Sequence, residues 1–184
     1  MGYKKYIKDY RKEYIVKPNG KPGVTATYVG KYYDFAADEE SLKRSRLIYA
    51  CLSSLALACC VAPLFFNTDA SHTVYVSVPC VITLFPAVHL VLGVFNLFVK
   101  KTPLIREFRD KSEGRITTNS AASFCCIIVT TVCWIVKCAL SVFGVLDVVS
   151  IALFLVAGGA AGYMYLSRKA FATVEIDNPN ADQE

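Results

Sequence analysis

Three observations predict an all-α integral membrane protein, a four-transmembrane-helix bundle with N- and C-termini cytoplasmic. Apolar residues make up 54% of the 184-residue chain, above the about 45–50% of a soluble domain, and the excess is gathered in four blocks. These blocks, at 47–66, 74–99, 120–143 and 146–166, each approach or exceed the ~20 helical residues that cross a ~30 Å hydrocarbon core. The basic residues then orient them. Of the 20 Lys and Arg, eleven precede Leu47, six lie between Lys100 and Arg115, two follow the last block and only Lys137 falls inside one. The connections at Asn67–Thr73 and Gly144–Asp147 carry none. An excess of Lys and Arg marks cytoplasmic segments, so residues 1–46, the loop 100–119 and the tail 167–184 are expected inside a plasma or inner membrane. Tyr49, Tyr163 and Tyr165 then fall at the inner interface, and Phe65, Phe66, Tyr75 and Trp134 near the outer one.

The first 46 residues form a basic cytoplasmic region. Tyr3, Tyr6, Tyr10 and Tyr14 recur at three- and four-residue steps among Lys4, Lys5, Lys8, Arg11 and Lys12, the pattern of an amphipathic helix over Met1–Val16. Such a helix can lie on anionic lipid at the cytoplasmic face, or its tyrosines can pack on the protein's own cytoplasmic parts. Pro18, Asn19 and Gly20 supply turn chemistry, and Val24–Val29 alternates in side-chain character, which predicts a β-hairpin from near Tyr14 to near Tyr33. A lone hairpin is marginal in water, so it needs the membrane, the middle loop or a partner chain to lean on. This polar start leaves no pattern of a secretory signal. Asp38, Glu39 and Glu40 favour a helix N-terminus near Ser41 that runs into the first span.

In the second span, Pro79, Pro86 and Gly93 are spaced by seven, with Ile82, His89 and Asn96 on the same face. Polar groups and prolines are costly against lipid, so this face is expected to look into the bundle, either holding helices together or lining a polar pathway. In the loop 100–119, Pro103 is expected to start a short helix reaching about Ser112, with Gly114 stopping it. The third span offers a matching polar face that includes Thr130 and Lys137. Lys137 lies about 25 Å along that span, near the external boundary, where Asp147 is its expected counter-ion. Asp69 and His72 join them in a sharper reading, as a charged external mouth. The fourth span carries Gly158 and Gly162 in a Gly-x-x-x-Gly pair, a smooth face for close helix packing within the chain or between copies. Beyond it, the tail 167–184 is poor in apolar residues and is expected to be largely disordered.

The chemistry-bearing residues point away from catalysis. The eight cysteines all lie in apolar blocks and form no Cys-x-x-Cys pair, and His72 and His89 stand at no metal-ligand spacing from them. The cysteines read as small packing residues, with a disulfide among Cys59, Cys60, Cys80 and Cys138 left open. His89, Asn96 and Lys137 are too dispersed in depth to form one reaction centre, and no phosphate-binding loop is present. No enzyme activity, cofactor or metal is expected. The basic excess follows from topology and anionic lipid and gives no reason to expect nucleic acid. The expected function is a non-enzymatic scaffold or accessory subunit, with a protein partner or self-association. The alternative is a small oligomeric transporter or channel using the polar stripe of the second span.

Overall fold

The computed structural model describes residues 6–16, 22–99, 104–141 and 144–176. Four helices, α1 (Glu39–Val61), α2 (Val74–Val99), α3 (Arg106–Leu140) and α4 (Val145–Leu166), account for most of them. All four are long and apolar enough to cross a membrane. They form a closed ring in which α1 packs on α2, α2 on α3, α3 on α4 and α4 back on α1. Short connections between successive helices make each an antiparallel neighbour of the next.

The first helix starts for a local reason. Asp38 caps α1 by accepting from the Ser41 backbone N–H at 3.1 Å, with Glu39 and Glu40 in the first turn, the arrangement its sequence foreshadows. A 3-10 turn at Ala62–Phe65 extends α1 to the far end of the bundle. Besides Gly93, the buried positions of α2 are Val76, Cys80, Thr83, Ala87, Leu90, Val94 and Leu97. Their alternating four- and three-residue steps make a seven-residue repeat, the seam of two helices packed side by side. Outward positions such as Val81, Phe85 and Leu92 are exposed and apolar, as helices solvated by lipid require.

The core falls into two layers. Near the end where α1 leaves and α2 enters, Trp134 and Phe154 pack with rings 5.6 Å apart among Cys60, Val76 and Ile127. At the other end, Tyr49, Leu90, Val94, Ile116 and Met164 form the second layer. There the buried Tyr49 hydroxyl donates to the Met164 carbonyl at 2.9 Å, and its ring meets Phe171 edge-on at 4.8 Å. Thr83 and Thr130, both fully buried, share a hydroxyl hydrogen bond of 2.9 Å between α2 and α3. Interhelical hydroxyl pairs of this kind hold spans together where apolar burial discriminates little.

The polar segments gather at one end. Strand β1 (Tyr10–Val16) pairs antiparallel with β2 (Pro22–Tyr28), with Tyr14 opposite Val24. Strand β3 (Tyr32–Phe35) lies between β4 (Leu104–Ile105) and β5 (Thr173–Ile176), antiparallel to both. This three-stranded sheet joins the segment before α1, the α2–α3 connection and the segment after α4. The three basic segments of the sequence therefore meet at one end of the bundle, called here the basic end.

Four expectations need correction. The helix foreseen over Met1–Val16 is, from Tyr10 to Val16, a strand, preceded by helical Tyr6 and a 3-10 turn at Ile7–Asp9, while residues 1–5 lie outside the described residues. The tyrosine spacing fits both periods, and pairing with β2 selects the extended one. The paired strands run from Tyr10 to Tyr28 rather than from near Tyr14 to near Tyr33, about the connection 17–21 that holds Pro18, Asn19 and Gly20 and lies outside the described residues. The loop 100–119 shrinks, because α3 is continuous from Arg106 and passes through Gly114. A glycine in a helix costs only about 1 kcal/mol, which 35 helical residues absorb. Pro103, the expected start, lies outside the described residues. The tail begins as a strand, since β-branched Thr173, Val174 and Ile176 find an open edge on β3. Residues 177–184 lie outside the described residues.

Candidate functional site

At the basic end, α3 carries the structure outward. Its 35 residues span about 52 Å, well beyond a ~30 Å core, so roughly its first four turns extend past the apolar band. The hairpin leans on this stalk. The Tyr6 hydroxyl donates to Asp110 Oδ2 at 3.1 Å, Arg106 lies 4.0 Å from Asp9, and the Arg106 backbone N–H donates to the Tyr28 hydroxyl at 3.1 Å. Tyr28 is the hub of this junction, since its hydroxyl also donates to the Lys31 carbonyl at 2.8 Å and its ring meets Tyr10 and Tyr32 edge-on at 5.2 Å each. Burial pushes its phenol above the ordinary tyrosine range, opposed by the bond from Arg106. Gly30 fits beneath it because a Cβ there would stand 2.7 Å from the Tyr28 ring and 2.9 Å from Asp9 Cβ.

Arginines bind the three-stranded sheet to the helices. Arg109 of α3 lies over the Tyr33 ring at 4.6 Å, and Arg46 of α1 over Phe35 at 5.3 Å. Lys31 pairs with Glu175 at 2.7 Å, and that carboxylate holds the Lys31 ammonium above its usual pKa. The strands are left uncovered at Tyr14 and Val24. Tyr14 and Val24, directly opposite across the strands, are 85% and 58% exposed, and each strand keeps one unpaired edge.

The expected polar pathway is not assembled inside the bundle. His89 and Asn96 are exposed on the outside, along the seam where α2 meets α3, and only Thr130 points inward, to Thr83. The stripe is rotated by one residue, about 100°, from the buried face, because Thr83, Leu90 and Leu97 take the inner positions beside it. His89 settles its outward position locally, its Nδ1 lying 2.9 Å from the Phe85 carbonyl and its ring 4.5 Å from the Phe85 ring. At the stripe's basic end, Asn96 and Gly93 of α2 and Lys111, Ser112 and Arg115 of α3 line a cavity of about 200 Å³, floored by Phe35, Leu97, Leu104 and Phe108.

At the opposite end, Lys137 and Asp147 make no ion pair within 4.0 Å among the described residues. Asp147 is buried and accepts instead from the Trp134 indole N–H at 3.1 Å and from the Gly144 backbone N–H at 3.2 Å, closing the turn into α4. An indole that must bury its ring and place its donor explains the choice. Nearby, His72 Nε2 lies 2.7 Å from Asn67 Oδ1, and the Thr73 hydroxyl donates to the Asp69 carbonyl at 2.8 Å, so Asp69 and His72 serve the local turn. Gly158 and Gly162 face α3 of the same chain. A Cβ on them would stand 3.3 Å from Ile127 and 3.3 Å from Phe124, respectively. All eight cysteines are free, and among the described residues no three His, Cys, Asp or Glu side chains gather as a metal site would need. No family model, curated protein or solved structure matches this chain.

Proposed function

We propose that the protein is a non-enzymatic scaffold or accessory subunit of a membrane complex, with its basic end in the cytoplasm of a plasma or inner membrane. The observation that carries this reading is the uncovered Tyr14–Val24 pair on a two-stranded hairpin with open edges, held away from the bundle by the α3 stalk. An extended partner segment can add to such an edge through backbone hydrogen bonds while an apolar side chain covers the pair. The two core layers support the same reading, since the buried Trp134, Phe154, Tyr49 and Met164 fill space that a single-copy pathway would need. The distribution of Lys and Arg supports the orientation.

Native mass spectrometry of the full chain in mild detergent tests this. The expected result is an assembly containing a second, stoichiometric subunit that Tyr14→Ser with Val24→Ser dissociates while the thermal melt of the bundle is unchanged. An isolated chain, or an assembly indifferent to the double variant, overturns the scaffold reading. The exposed positions of His89 and Asn96 favour one second reading, a transporter with its route between copies. It predicts that His89→Ala with Asn96→Ala abolishes a solute or proton flux in liposomes while assembly persists.

A further inference from the structure

We propose that the outer seam between α2 and α3 binds one anionic phospholipid of the leaflet at the basic end. The headgroup phosphate sits between Arg115 and Asn96, and an acyl chain runs along the seam toward Pro79, Ile82 and Val129. This site is independent of the hairpin and stands or falls apart from the scaffold reading.

The mouth of the seam is cationic and unsatisfied. Lys111 is paired with Glu107, but Arg115, one turn further along α3, is exposed and has no acidic partner within 4.0 Å among the described residues. Asn96 is exposed three residues before the end of α2, and its amide has no hydrogen-bond partner among the described residues. An unpaired amide at a membrane boundary costs free energy that a phosphate oxygen, as acceptor, removes. Arginine and amide N–H donors together suit such an oxygen, and the arginine contact is charge-assisted. Arg115 lies against α2 at this point, since a Cβ on Gly93 would be in ordinary contact with Arg115 Cβ at 3.7 Å. Phe35 and Phe108 give the cavity an apolar floor on which glycerol and ester carbons can rest.

Deeper along the same seam, Pro79 and Ile82 of α2 and Cys125, Cys126 and Val129 of α3 wall a second cavity of about 220 Å³ with no charged residue in its lining. From Arg115 to Cys125 the rise is about 15 Å, and from Asn96 to Ile82 about 21 Å. A bilayer is about 40–45 Å thick with its headgroups, so one leaflet is roughly 20 Å deep. The charged mouth and the apolar hollow are thus separated by about one lipid's length.

The test is native mass spectrometry of the full chain, delipidated in mild detergent and titrated with phosphatidylglycerol or with phosphatidylcholine. The expected result is one phosphatidylglycerol per chain, retained in preference to phosphatidylcholine. Arg115→Gln should weaken retention by about tenfold or more, the loss of one charge-assisted contact. Arg115→Lys should restore part of it, and Arg11→Gln with Lys12→Gln on the hairpin should leave it unchanged. Val129→Trp, which fills the apolar hollow, should reduce lipid retention as well. Free glycerol-3-phosphate should not compete; if it does so as well as the lipid, the site is a phosphate site and the proposal is overturned. Equal retention of the two lipids, or an Arg115→Gln protein that melts as wild type and still retains phosphatidylglycerol, also overturns it.

Discussion

Asp147 shows how one side chain can be misread from sequence and still be central. Next to a tight turn and a lysine it reads as half of an ion pair, yet the indole of Trp134 is the donor it serves. Sequence gives the charge and the depth, but not that the tryptophan side chain would turn inward, because that depends on the space beside Phe154. Asp147→Ala leaves a buried indole N–H and the Gly144 N–H unpaired and should destabilise the bundle by about 1–3 kcal/mol. Asp147→Asn keeps one acceptor oxygen and should lose less. Thermal melts in detergent, followed by tryptophan fluorescence, give both values, and equal losses for the two variants would refute this assignment. The glycines of α4 separate in the same way. Gly158→Leu drives atoms into Ile127 and should cost about 1–3 kcal/mol, whereas Gly159→Leu, with nothing within 4 Å of its Cβ, should be close to neutral. The Gly-x-x-x-Gly pair was legible as a packing face, but its partner within the chain was not.

At the scale of elements, hydropathy located all four helices because their length and composition are set by the solvent around them. It failed where the solvent gives no such instruction. Charged residues from Arg106 to Arg115 read as a loop with a short helix ending near Gly114, yet the helix runs on unbroken, with ion pairs at four-residue spacing, Glu107 with Lys111 and Arg109 with Glu113, supporting it. Gly114 is exposed within it and has open space around it, so Gly114→Ala should stabilise the stalk by about 0.5–1 kcal/mol, readable as slower amide exchange over 106–120. The β3–β5 pairing was invisible for a different reason, since four β-branched-rich residues acquire meaning only when a distant edge is offered to them. Its exposed closing pair, Lys31 with Glu175, has a pH signature. The folded ammonium titrates above the unfolded value of about 10.4, so the pair's contribution is complete below that pH and lost as pH rises through the higher folded value. A melting difference between wild type and Lys31→Gln should therefore be present at pH 8 and vanish on strong alkalinisation, and a difference that grew with pH would contradict it.

For the whole molecule, the sequence separates oil from water well and inside from outside poorly. The stripe of His89 and Asn96 was assigned to the interior because polar groups avoid lipid, and the rotation of about 100° that moves it to the α2–α3 seam depends on which neighbours α2 receives. Charge asymmetry remains the argument for orientation. A Ser112→Cys protein should gain thiol labelling by an impermeant reagent, relative to wild type, only after the cell membrane is opened. Gain in intact cells would invert the proposed topology.

The three-stranded sheet also constrains how the chain is made. Its central strand β3 leaves the ribosome before any helix, β4 follows only after two helices, and β5 arrives only when the fourth has been threaded. Until then, one side of β3 is a bare backbone waiting for the last segment of the described chain. Completion of that edge requires an even number of crossings, because an odd number would deliver Thr173–Ile176 to the other face of a bilayer.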